Sequence, residues 1–449
     1  MKKLEEELSH PQKILLRFFM MKAWDNMKNV VRKLHPSDLA GVFHRLNFQE
    51  QEEFLGVLFE EGLAASVITC LPDEMARDLL ADIAEERIAT MVQRLSADDA
   101  TDFLGYLTDE KKAAVLASLP PGKRLFFEKM LLYEEDTAGG LMNTDYLALG
   151  QDLSVEEALR IIRTRFRSEY YLYVYVTDEH NNLIGVLSFR RLVFAEPAVQ
   201  LKDIMLPDPV RVSTDTAQEE VAKLVANYDL LAVPVVDENN KLLGVVTVDD
   251  VIDVIEEEAT EDMYHLAKIH SEENVLTPLL RTVRLRFNWV AATLVTAILG
   301  AVVVALFWDA LDRWVWLAVL IPVLTTMTAT TSTQTLTVVV RGLVLGELEY
   351  RKELPVLAKE LAVGLLLGLV CGLVLAGVVL AWSGQLPLAL LAGVSLLLST
   401  LTANLFGALV PLVLNWLKLD PAQGSSIVTT TAANIAGFVV FLSLAQFFL

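Results

Sequence analysis

The densest group of possible metal ligands in this sequence is an acidic tract just past its midpoint. The segment TVDDVIDVIEEEATED, residues 247–262, carries carboxylates three and four positions apart. On a helix this spacing stacks them on neighbouring turns, where their like charges repel. A divalent cation bound by carboxylate oxygens would remove that repulsion, whereas the simpler interpretation is a solvated acidic face. The carboxylates of the tract are Asp249, Asp250, Asp253, Glu256 to Glu258, Glu261 and Asp262.

Hydroxyl and amide side chains inside long apolar segments form a second informative group. The runs TTMTATTSTQT at 325–335 and SSIVTTTAAN at 425–434 interrupt otherwise aliphatic sequence. Polar groups within a membrane are costly, so they face a pore or a neighbouring helix. Their oxygens could bind a hydrated cation through its waters, although a threonine hydroxyl can instead bond to a carbonyl of its own helix. The candidate pore residues from this group are Thr330, Thr331, Asn404, Thr430 and Asn434.

No arrangement in the sequence supports catalysis. The six histidines are scattered, and there is neither a nucleophile elbow nor a Walker-type glycine loop. We therefore expect neither an enzyme nor a pump driven by ATP hydrolysis. The two cysteines, Cys70 and Cys371, are far apart and lack ligand-like spacing. A disulfide framework or a zinc site is thus not expected, and a reducing cytoplasm fits the sequence.

The composition requires that part of the chain faces lipid. Of the 449 residues 53% are hydrophobic, and the mean hydropathy of +0.43 is too high for one ordinary soluble domain. Most charged residues precede Phe287, so the net charge of −21 belongs mainly to a soluble part. Such an excess repels nucleic-acid phosphates and attracts cations, although an acidic surface kept for solubility is an alternative. Nucleic acid is therefore not an expected partner.

Five segments are long and apolar enough to cross a bilayer core of about 30 Å, which needs about 20 residues per helix. They lie near 287–308, 314–341, 358–382, 387–416 and 425–448. Basic residues occur before the first span and in every second connection after it, and these positions all lie on one side of the membrane. By the positive-inside rule that side is the cytoplasm, which also contains the soluble part. These residues are Arg281, Arg284, Arg286, Arg341, Arg351, Lys352, Lys359 and Lys418. The amino terminus lacks an apolar signal region, so we do not expect the soluble part to be exported. Because the number of spans is odd, we expect a multi-pass protein of the inner membrane whose carboxy terminus lies outside.

The soluble part contains two kinds of sequence pattern. Residues 23–132 place leucine and alanine at helical spacing between prolines and polar caps, which predicts a stack of short helices. Helix capping is the simplest role there for Asp98 and Asp99. The segment YVTDEHNNLIGVLSFRRLV at 175–193 then recurs as PVVDENNKLLGVVTVDDVI at 234–252. This repeat resembles a tandem CBS pair, a fold that commonly binds adenine nucleotides.

The order of these segments resembles the MgtE family of magnesium transporters. Two further motifs carry the resemblance, YEEDTAGGLM at 133–142 and the acidic tract at 247–262. It implies a multidomain membrane protein with a cytosolic α-helical superhelical domain, a tandem CBS (α/β) pair, a connecting helix and a five-helix all-α transmembrane domain. The implied boundaries are 1–22 for an amino-terminal segment, 23–132 for the helical domain, 133–200 and 201–258 for the CBS units, 259–286 for the connecting helix and 287–449 for the transmembrane domain.

The resemblance also implies a mechanism. It implies a homodimer in membrane lipid, with a pore between the subunits that closes when Mg²⁺ ions bind between the cytosolic regions. Mg²⁺ is then both cargo and regulatory ligand, and ATP is a possible ligand of the CBS pair at Thr247 and Asp250. The matching regulatory carboxylates are Asp98, Asp102, Glu219, Asp229, Asp250, Asp253, Glu258, Glu261, Asp262 and Asp420. Ser66 and Ala217 stand where the family has acidic residues, so we expect sensing to be altered in strength.

The pore departs from the family pattern at three places. The threonine-rich run replaces a Gly/Asn-rich motif and keeps only Gln334, Ser426 replaces an asparagine, and Asn434 occupies the position of the pore aspartate. A neutral amide keeps the oxygen but loses the charge, which should weaken the hold on a divalent ion most. Three hypotheses follow: a magnesium channel or transporter with modified selectivity, a transporter of another cation such as Na⁺ or Ca²⁺, and a magnesium sensor that does not conduct.

Overall fold

The computed structural model describes residues 8–165, 171–270, 273, 275, 277–344, 346–348, 353–422 and 424–448. The start of the amino-terminal segment (1–7), part of the first expected CBS unit (166–170) and the flanking residues Arg351 and Lys352 lie outside the described residues. The chain forms two compact units, one ending at Ile255 and the other beginning at Glu256. The first contains the helical stack and the repeat, and the second contains the apolar segments.

Short amphipathic helices build the helical stack. Asn47 caps the helix Phe48–Glu61 by accepting a hydrogen bond from the Glu50 amide, and Gly62 ends that helix with a left-handed φ of 75°. The helices bury their apolar faces in one core that includes Phe43, Phe54 and Phe103. Within the described residues the stack comprises α1 (His10–Met20), α2 (Trp24–Val31), α3 (Pro36–Phe43), α4 (Phe48–Glu61), α5 (Ala64–Ile68), α6 (Asp73–Asp82), α7 (Glu85–Val92), α8 (Ala97–Gly105), α9 (Asp109–Ser118) and α10 (Pro121–Met130).

The sequence repeat forms two α/β units with matching sheets. Their elements are α11 (Ala138–Leu141), β1 (Ala148–Gly150), α12 (Val155–Arg165), β2 (Tyr173–Thr177), β3 (Leu183–Ser188), α13 (Phe189–Phe194), α14 (Leu201–Ile204), β4 (Leu206–Pro207), β5 (Val212–Ser213), α15 (Gln218–Tyr228), β6 (Ala232–Val236) and β7 (Leu242–Thr247). β1 pairs parallel with β2 as β5 does with β6, and β2–β3 and β6–β7 are antiparallel hairpins. In both hairpin turns an aspartate, Asp178 or Asp237, accepts hydrogen bonds from backbone amides two and four residues later. The expected tandem CBS architecture is confirmed.

Among the residues that the structure describes, five helices of the second unit are long and apolar enough to span a membrane. They are α17 (Leu279–Ala305), α19 (Val315–Val344), α20 (Glu353–Ser383), α21 (Leu386–Trp416) and α22 (Ser425–Phe448), and a short helix, α18 (Trp308–Arg313), lies between the first two. The expected number of spans is confirmed. Glycines bring α20 and α21 together, because a Cβ on Gly372 would lie only 2.6 Å from the carbonyl oxygen of Gly393. Such close packing between small residues is typical of membrane helices.

The connecting segment differs from the expected single helix over 259–286. The acidic tract forms α16 (Val248–Leu266), which begins directly after β7, and α17 begins at Leu279 rather than at 287. The physical reason is that arginine is a good helix former, so α17 extends through Arg281, Arg284 and Arg286. Hydropathy marks only the part of a helix that meets lipid.

Candidate cation sites

Asn143 connects the helical stack to the second CBS unit. Its backbone pairs with Val245 of β7 through hydrogen bonds of 2.7 and 2.9 Å, and its side-chain nitrogen donates to the Asp98 carboxylate at 3.2 and 3.3 Å. Gly244 permits this approach, since a Cβ there would lie 2.9 Å from the Asn143 carbonyl oxygen. Asp98 lies in the first turn of α8, and Asp250 lies in the first turn of α16. The structure therefore brings these two predicted regulatory carboxylates to one edge of β7.

The two carboxylates are difficult to ionise together. Burial raises the pKa of Asp98. Burial, together with the neighbouring charges of Asp98 and Asp249, raises the pKa of Asp250 to about 7. A hydrogen bond donated by the Thr247 hydroxyl at 2.6 Å acts in the opposite direction. A cation placed beside the pair would offset both burial and repulsion.

A cation at this edge would need ligands besides protein carboxylates. Among the described residues no three carboxylate, imidazole or thiol groups lie close enough to hold a metal ion. Mg²⁺ commonly binds one or two carboxylates and keeps several of its waters. The arrangement of Asp98 and Asp250 therefore fits a hydrated ion better than a fully dehydrated one.

The other predicted carboxylates of the first unit are more dispersed. Asp102 and Asp253 are both exposed. Asp102 lies about one turn after Asp98 on α8, and Asp253 lies about one turn after Asp250 on α16. Glu219 is exposed on α15 and forms an ion pair with Lys223 at 3.4 Å. Asp229 ends the same helix with a φ of 51°. Asp102 and Asp253 thus extend the Asp98–Asp250 cluster along its two helices, whereas Glu219 and Asp229 belong to a different helix.

Glu135 is a candidate cation ligand that the sequence analysis did not identify. One oxygen of its carboxylate lies 3.3 Å from the position of a Cβ on Gly105, at the end of the helix that carries Asp98. Gly140 permits the tight turn beneath it, because a Cβ there would lie 2.5 Å from the Glu134 carbonyl oxygen. The signal was present in the motif YEEDTAGGLM, whose glycines allow its acidic residues to pack against α8.

The acidic tract continues into the second unit along α16. Glu258, Glu261 and Asp262 are all partly buried. The Glu261 carboxylate lies 2.9 Å from Nε2 of His265, a residue that is 8% exposed. This contact replaces part of the expected solvated acidic face.

The end of α16 packs against membrane helix α19. Leu266, the last residue of α16, joins a cluster with Leu336 and Val340 of α19 and with Ala422. Asp420 accepts a hydrogen bond from the Ala422 amide at 2.8 Å, so one of its roles is to shape the turn before α22. The last turn of α16 is therefore part of the packing of the second unit.

The predicted nucleotide residues Thr247 and Asp250 are bonded to each other. The Thr247 hydroxyl donates to the Asp250 carboxylate at 2.6 Å, and the Thr247 amide donates at 3.3 Å. Together they cap the start of α16. Nucleotide binding at these residues stays a prediction.

The threonine-rich run of α19 has two different faces. Thr330 and Gln334 are exposed, whereas Thr331 and Thr335 are buried against other helices of the unit. The Thr330 hydroxyl donates to the carbonyl oxygen four residues earlier at 2.8 Å. Because its proton is used within the helix, the hydroxyl presents only lone pairs outward. The exposed face therefore presents oxygen acceptors at Thr330 and Gln334, with the amide donors of Gln334 beside them, and the buried Thr331 is not part of it.

A second polar row follows α22. Ser426, Thr430 and Asn434 are spaced by four residues and so share one face of the helix. Thr430 donates to the Ser426 carbonyl oxygen at 2.7 Å. The side-chain oxygen of Asn434 is buried without a hydrogen-bond partner among the described residues. An unpartnered acceptor at this depth favours contact with a cation or with a water molecule bound to one.

Asn404 and Glu360 lie inside the helix bundle. Asn404 is 1% exposed and donates from Nδ2 to the carbonyl oxygen of Glu360 at 3.1 Å. Glu360 is 5% exposed, and its carboxylate accepts from the Thr335 hydroxyl at 3.3 Å. Since α20 begins at Glu353, Glu360 lies about two turns inside this helix.

Comparison with known proteins gives consistent matches along the chain. The MgtE model, described as a divalent cation transporter, matches residues 321–444. The MgtE intracellular N domain matches 34–136, and CBS domains match 138–197 and 201–257. A crystal structure of the soluble part of a magnesium transporter is 30% identical, covers 56% of this chain and 98% of its own, and superposes with a TM-score of 0.51. The cytosolic domain of the Mg²⁺ channel MgtE in complex with ATP is 39% identical, covers 51% and 93%, and gives 0.48.

Full-length relatives extend these matches over both units. The magnesium transporter MgtE of Thermus thermophilus is 36% identical over 433 residues, which cover 94% of this chain and 95% of the relative. The protein of the same name from Bacillus subtilis is 29% identical over 425 residues and 94% of each chain. Since the helical stack, the CBS pair and the membrane helices all match in order, this chain belongs to the MgtE family of divalent cation transporters.

Proposed function

We propose that this protein carries Mg²⁺ across a cell membrane as a homodimer, through a pore lined by the polar faces of α19 and α22. The observation that carries the proposal is the exposed row of oxygen acceptors at Thr330 and Gln334. Lipid offers no partner to such a row, whereas a second copy related by two-fold symmetry would turn it into a pore lining. The names of the full-length relatives support Mg²⁺ as the cargo.

The lining would select ions through neutral oxygens. Mg²⁺ loses its waters reluctantly, so hydroxyl and amide oxygens would hold it through the hydration shell. Asn434 contributes such an oxygen but no charge, which lowers the attraction for a divalent ion more than for a monovalent one. Transport of Na⁺ is therefore the alternative cargo that this side chain favours, whereas Ca²⁺, the other alternative, loses as much attraction as Mg²⁺ does.

Cytosolic Mg²⁺ would regulate the pore through the Asp98–Asp250 pair. An ion beside the pair stabilises the contact between α8 and the start of α16 by offsetting carboxylate repulsion. α16 is continuous from Asp250 to Leu266, and Leu266 packs against α19. When Mg²⁺ is scarce the repulsion would return, and the resulting movement of α16 would reach α19. Glu258, Glu261, Asp262 and Asp420 are the further ligands we assign to this regulation.

The proposal includes an orientation and a second ligand. The soluble unit would lie in the cytoplasm and the carboxy-terminal end of α22 outside the cell, as the basic flanks of the spans indicate. ATP would bind the CBS pair near Thr247 and Asp250. Because these two side chains are bonded to each other, ATP binding there would compete with the cap of α16 and so with the regulatory contact.

Ion uptake into liposomes tests the transport proposal. The purified protein is reconstituted, and uptake of Mg²⁺, Ca²⁺, Na⁺ and K⁺ is compared with that of empty liposomes. We expect Mg²⁺ uptake that falls when Mg²⁺ is added on the side of the soluble unit. Uptake of only a monovalent ion would contradict the assigned cargo, and protection of the soluble unit by Mg²⁺ without any uptake would favour the sensor that does not conduct.

The pore face can be tested separately by cross-linking. In a protein from which Cys70 and Cys371 have been removed, Thr330→Cys is expected to form a disulfide between two copies under oxidation, because the two-fold axis would bring both copies of this face together. Val374→Cys, at an exposed position of α20, is the matched control and should remain monomeric in denaturing gels. Cross-linking of the control but not of Thr330→Cys would place the interface elsewhere.

A further inference from the structure

Glu360 places a carboxylate inside the membrane unit with few hydrogen-bond donors around it. One oxygen lies 3.3 Å from the Thr335 hydroxyl, and the other lies 3.4 Å from the Lys359 ammonium. Both contacts are long, and a carboxylate has about four acceptor positions. The Lys359 side chain is 65% exposed, against 7% for that of Glu360, so it reaches the carboxylate from the surface. Within the described part of the chain, most of the acceptor capacity of Glu360 is therefore unused.

Asn404 adds a second unused acceptor at the same junction. Its Nδ2 donates to the Glu360 carbonyl oxygen, which fixes the orientation of the amide. The remaining oxygen, Oδ1, is buried and has no hydrogen-bond partner among the described residues. Burying an amide oxygen without a hydrogen-bond partner is unfavourable, because the oxygen loses its bonds to water. The amide is thus held in an orientation that is unfavourable without a further ligand.

Glycines bring the three helices of the junction together. A Cβ on Gly364 of α20 would lie 3.1 Å from the Asn404 side chain of α21. A Cβ on Gly407 of α21 would lie 2.8 Å from Cβ of Thr335 on α19. Side chains larger than hydrogen at these positions would separate Glu360, Thr335 and Asn404. The close packing of α19, α20 and α21 therefore concentrates oxygen acceptors at one place.

We propose that Glu360, Thr335 and Asn404 bind a monovalent metal cation, Na⁺, within each protomer and away from the pore. A cation satisfies an excess of oxygen acceptors, and one positive charge balances the single carboxylate. A dehydrated divalent ion would leave an uncompensated positive charge in an apolar bundle, which is costly. Lys359 acts as a tethered cation that pairs with Glu360 when the metal is absent and moves into solvent when Na⁺ binds.

This site is separate from the proposed pore. The pore face of α19 carries the exposed residues Thr330 and Gln334, whereas Thr335 is buried on the other side of the helix. Na⁺ at Glu360 would stabilise the packing of α19 against α20 and α21 and would not need to cross the membrane. The proposal therefore goes beyond Mg²⁺ transport and does not depend on it.

The test measures the thermal unfolding midpoint of the full chain in detergent as NaCl replaces choline chloride at constant ionic strength. The wild-type midpoint should rise with Na⁺ by at least about 3 °C at saturation, because a ligand of the folded state stabilises it. Glu360→Gln should abolish the rise, and Thr335→Val should increase the Na⁺ concentration for half the effect about tenfold. Lys359→Met should lower that concentration at least threefold. Glu353→Gln, on the same helix, is the matched control and should behave as the wild type.

Several outcomes would overturn the proposal. One is an unfolding midpoint that is as high in K⁺ or in choline as in Na⁺, and another is a rise with Na⁺ that persists in Glu360→Gln. The others are a Glu360-dependent rise that Mg²⁺ produces instead of Na⁺, and a rise that follows pH alone. If Glu360→Gln does not fold, Thr335→Val and Lys359→Met decide, since they must shift the Na⁺ response in opposite directions. Mg²⁺ uptake by the same preparation in liposomes is scored separately, so failure of this site and failure of the transport proposal are distinguishable.

Discussion

Asp250→Asn is expected to remove most of the Mg²⁺ response of the soluble unit and most of its pH dependence between pH 5 and pH 8. Burial, reinforced by the Asp98 charge, raises the pKa of Asp250 from 3.8 to about 7. A carboxyl group with a raised folded pKa stabilises the fold fully below its unfolded pKa, and that stability is lost as the pH rises towards 7. The loss amounts to at most about 4 kcal/mol. In the wild type Mg²⁺ should restore the lost stability by neutralising the Asp250 carboxylate. Asp250→Asn has no charge there to neutralise, so Mg²⁺ should have little effect on its stability.

Hydrogen exchange of α8 and of the first turn of α16 provides the measurement. In the full chain with a chelator, protection corrected for intrinsic exchange rates should fall from pH 5 to pH 8 and return with millimolar Mg²⁺. Asp250→Asn should keep its protection throughout. Glu256→Gln is the matched control, because Glu256 is an exposed carboxylate later on the same helix that does not contribute to the raised pKa of Asp250, and it should respond as the wild type does. A wild-type response to Mg²⁺ that survives in Asp250→Asn would disprove the role of the pair.

Asn434→Asp is expected to increase the preference of the transporter for Mg²⁺ over Na⁺ at least tenfold. Asn434 Oδ1 is a buried acceptor without a hydrogen-bond partner among the described residues, so a carboxylate there would act on an ion at short range. At 5 Å and an effective dielectric constant of 20, a unit charge attracts a monovalent ion by about 3 kcal/mol and a divalent ion by twice as much. Pore water screens much of this difference, but a tenfold change needs only about 1.4 kcal/mol.

Parallel uptake of Mg²⁺ and Na⁺ by reconstituted protein gives the ratio. Asn288→Asp adds the same charge at an exposed position near the start of the first span and controls for general accumulation of cations at the membrane surface. Its uptake ratio should change less than twofold. An Asn434→Asp ratio equal to that of the wild type would show that this side chain does not face the permeating ion.

Local patterns in the sequence were sufficient for the architecture. The five spans follow from apolar segments of sufficient length, and the two CBS units follow from a repeat whose turns carry the same aspartate at Asp178 and Asp237. Both are short-range signals, because burial in lipid and turn formation act on contiguous residues. The family resemblance rested on motifs of the same kind, and the comparisons confirm it.

The sequence predicted candidate residues better than it predicted their grouping. Thr330, Thr331 and Asn404 were all assigned to the pore. Thr330 lies on the exposed face of α19, whereas Thr331 is buried on the same helix and Asn404 is buried on α21. The run from 325 to 335 has hydroxyls on every side of the helix, so no periodicity indicates which side packs. The contacts of α19 with its neighbouring helices decide that, and those contacts depend on glycines such as Gly407 in another helix.

By itself the sequence determined the order of the domains, the number of spans, the acidic helix and the loss of charge at Asn434, since each is a property of neighbouring residues. Only the tertiary structure brought Asp98 to Asp250 and buried Glu360 beside Thr335 and Asn404. These groups come from separate helices, and their burial and mutual charges depend on how whole elements pack. Spacing along the chain does not encode such distances, because the free energy of packing is shared among many distant residues.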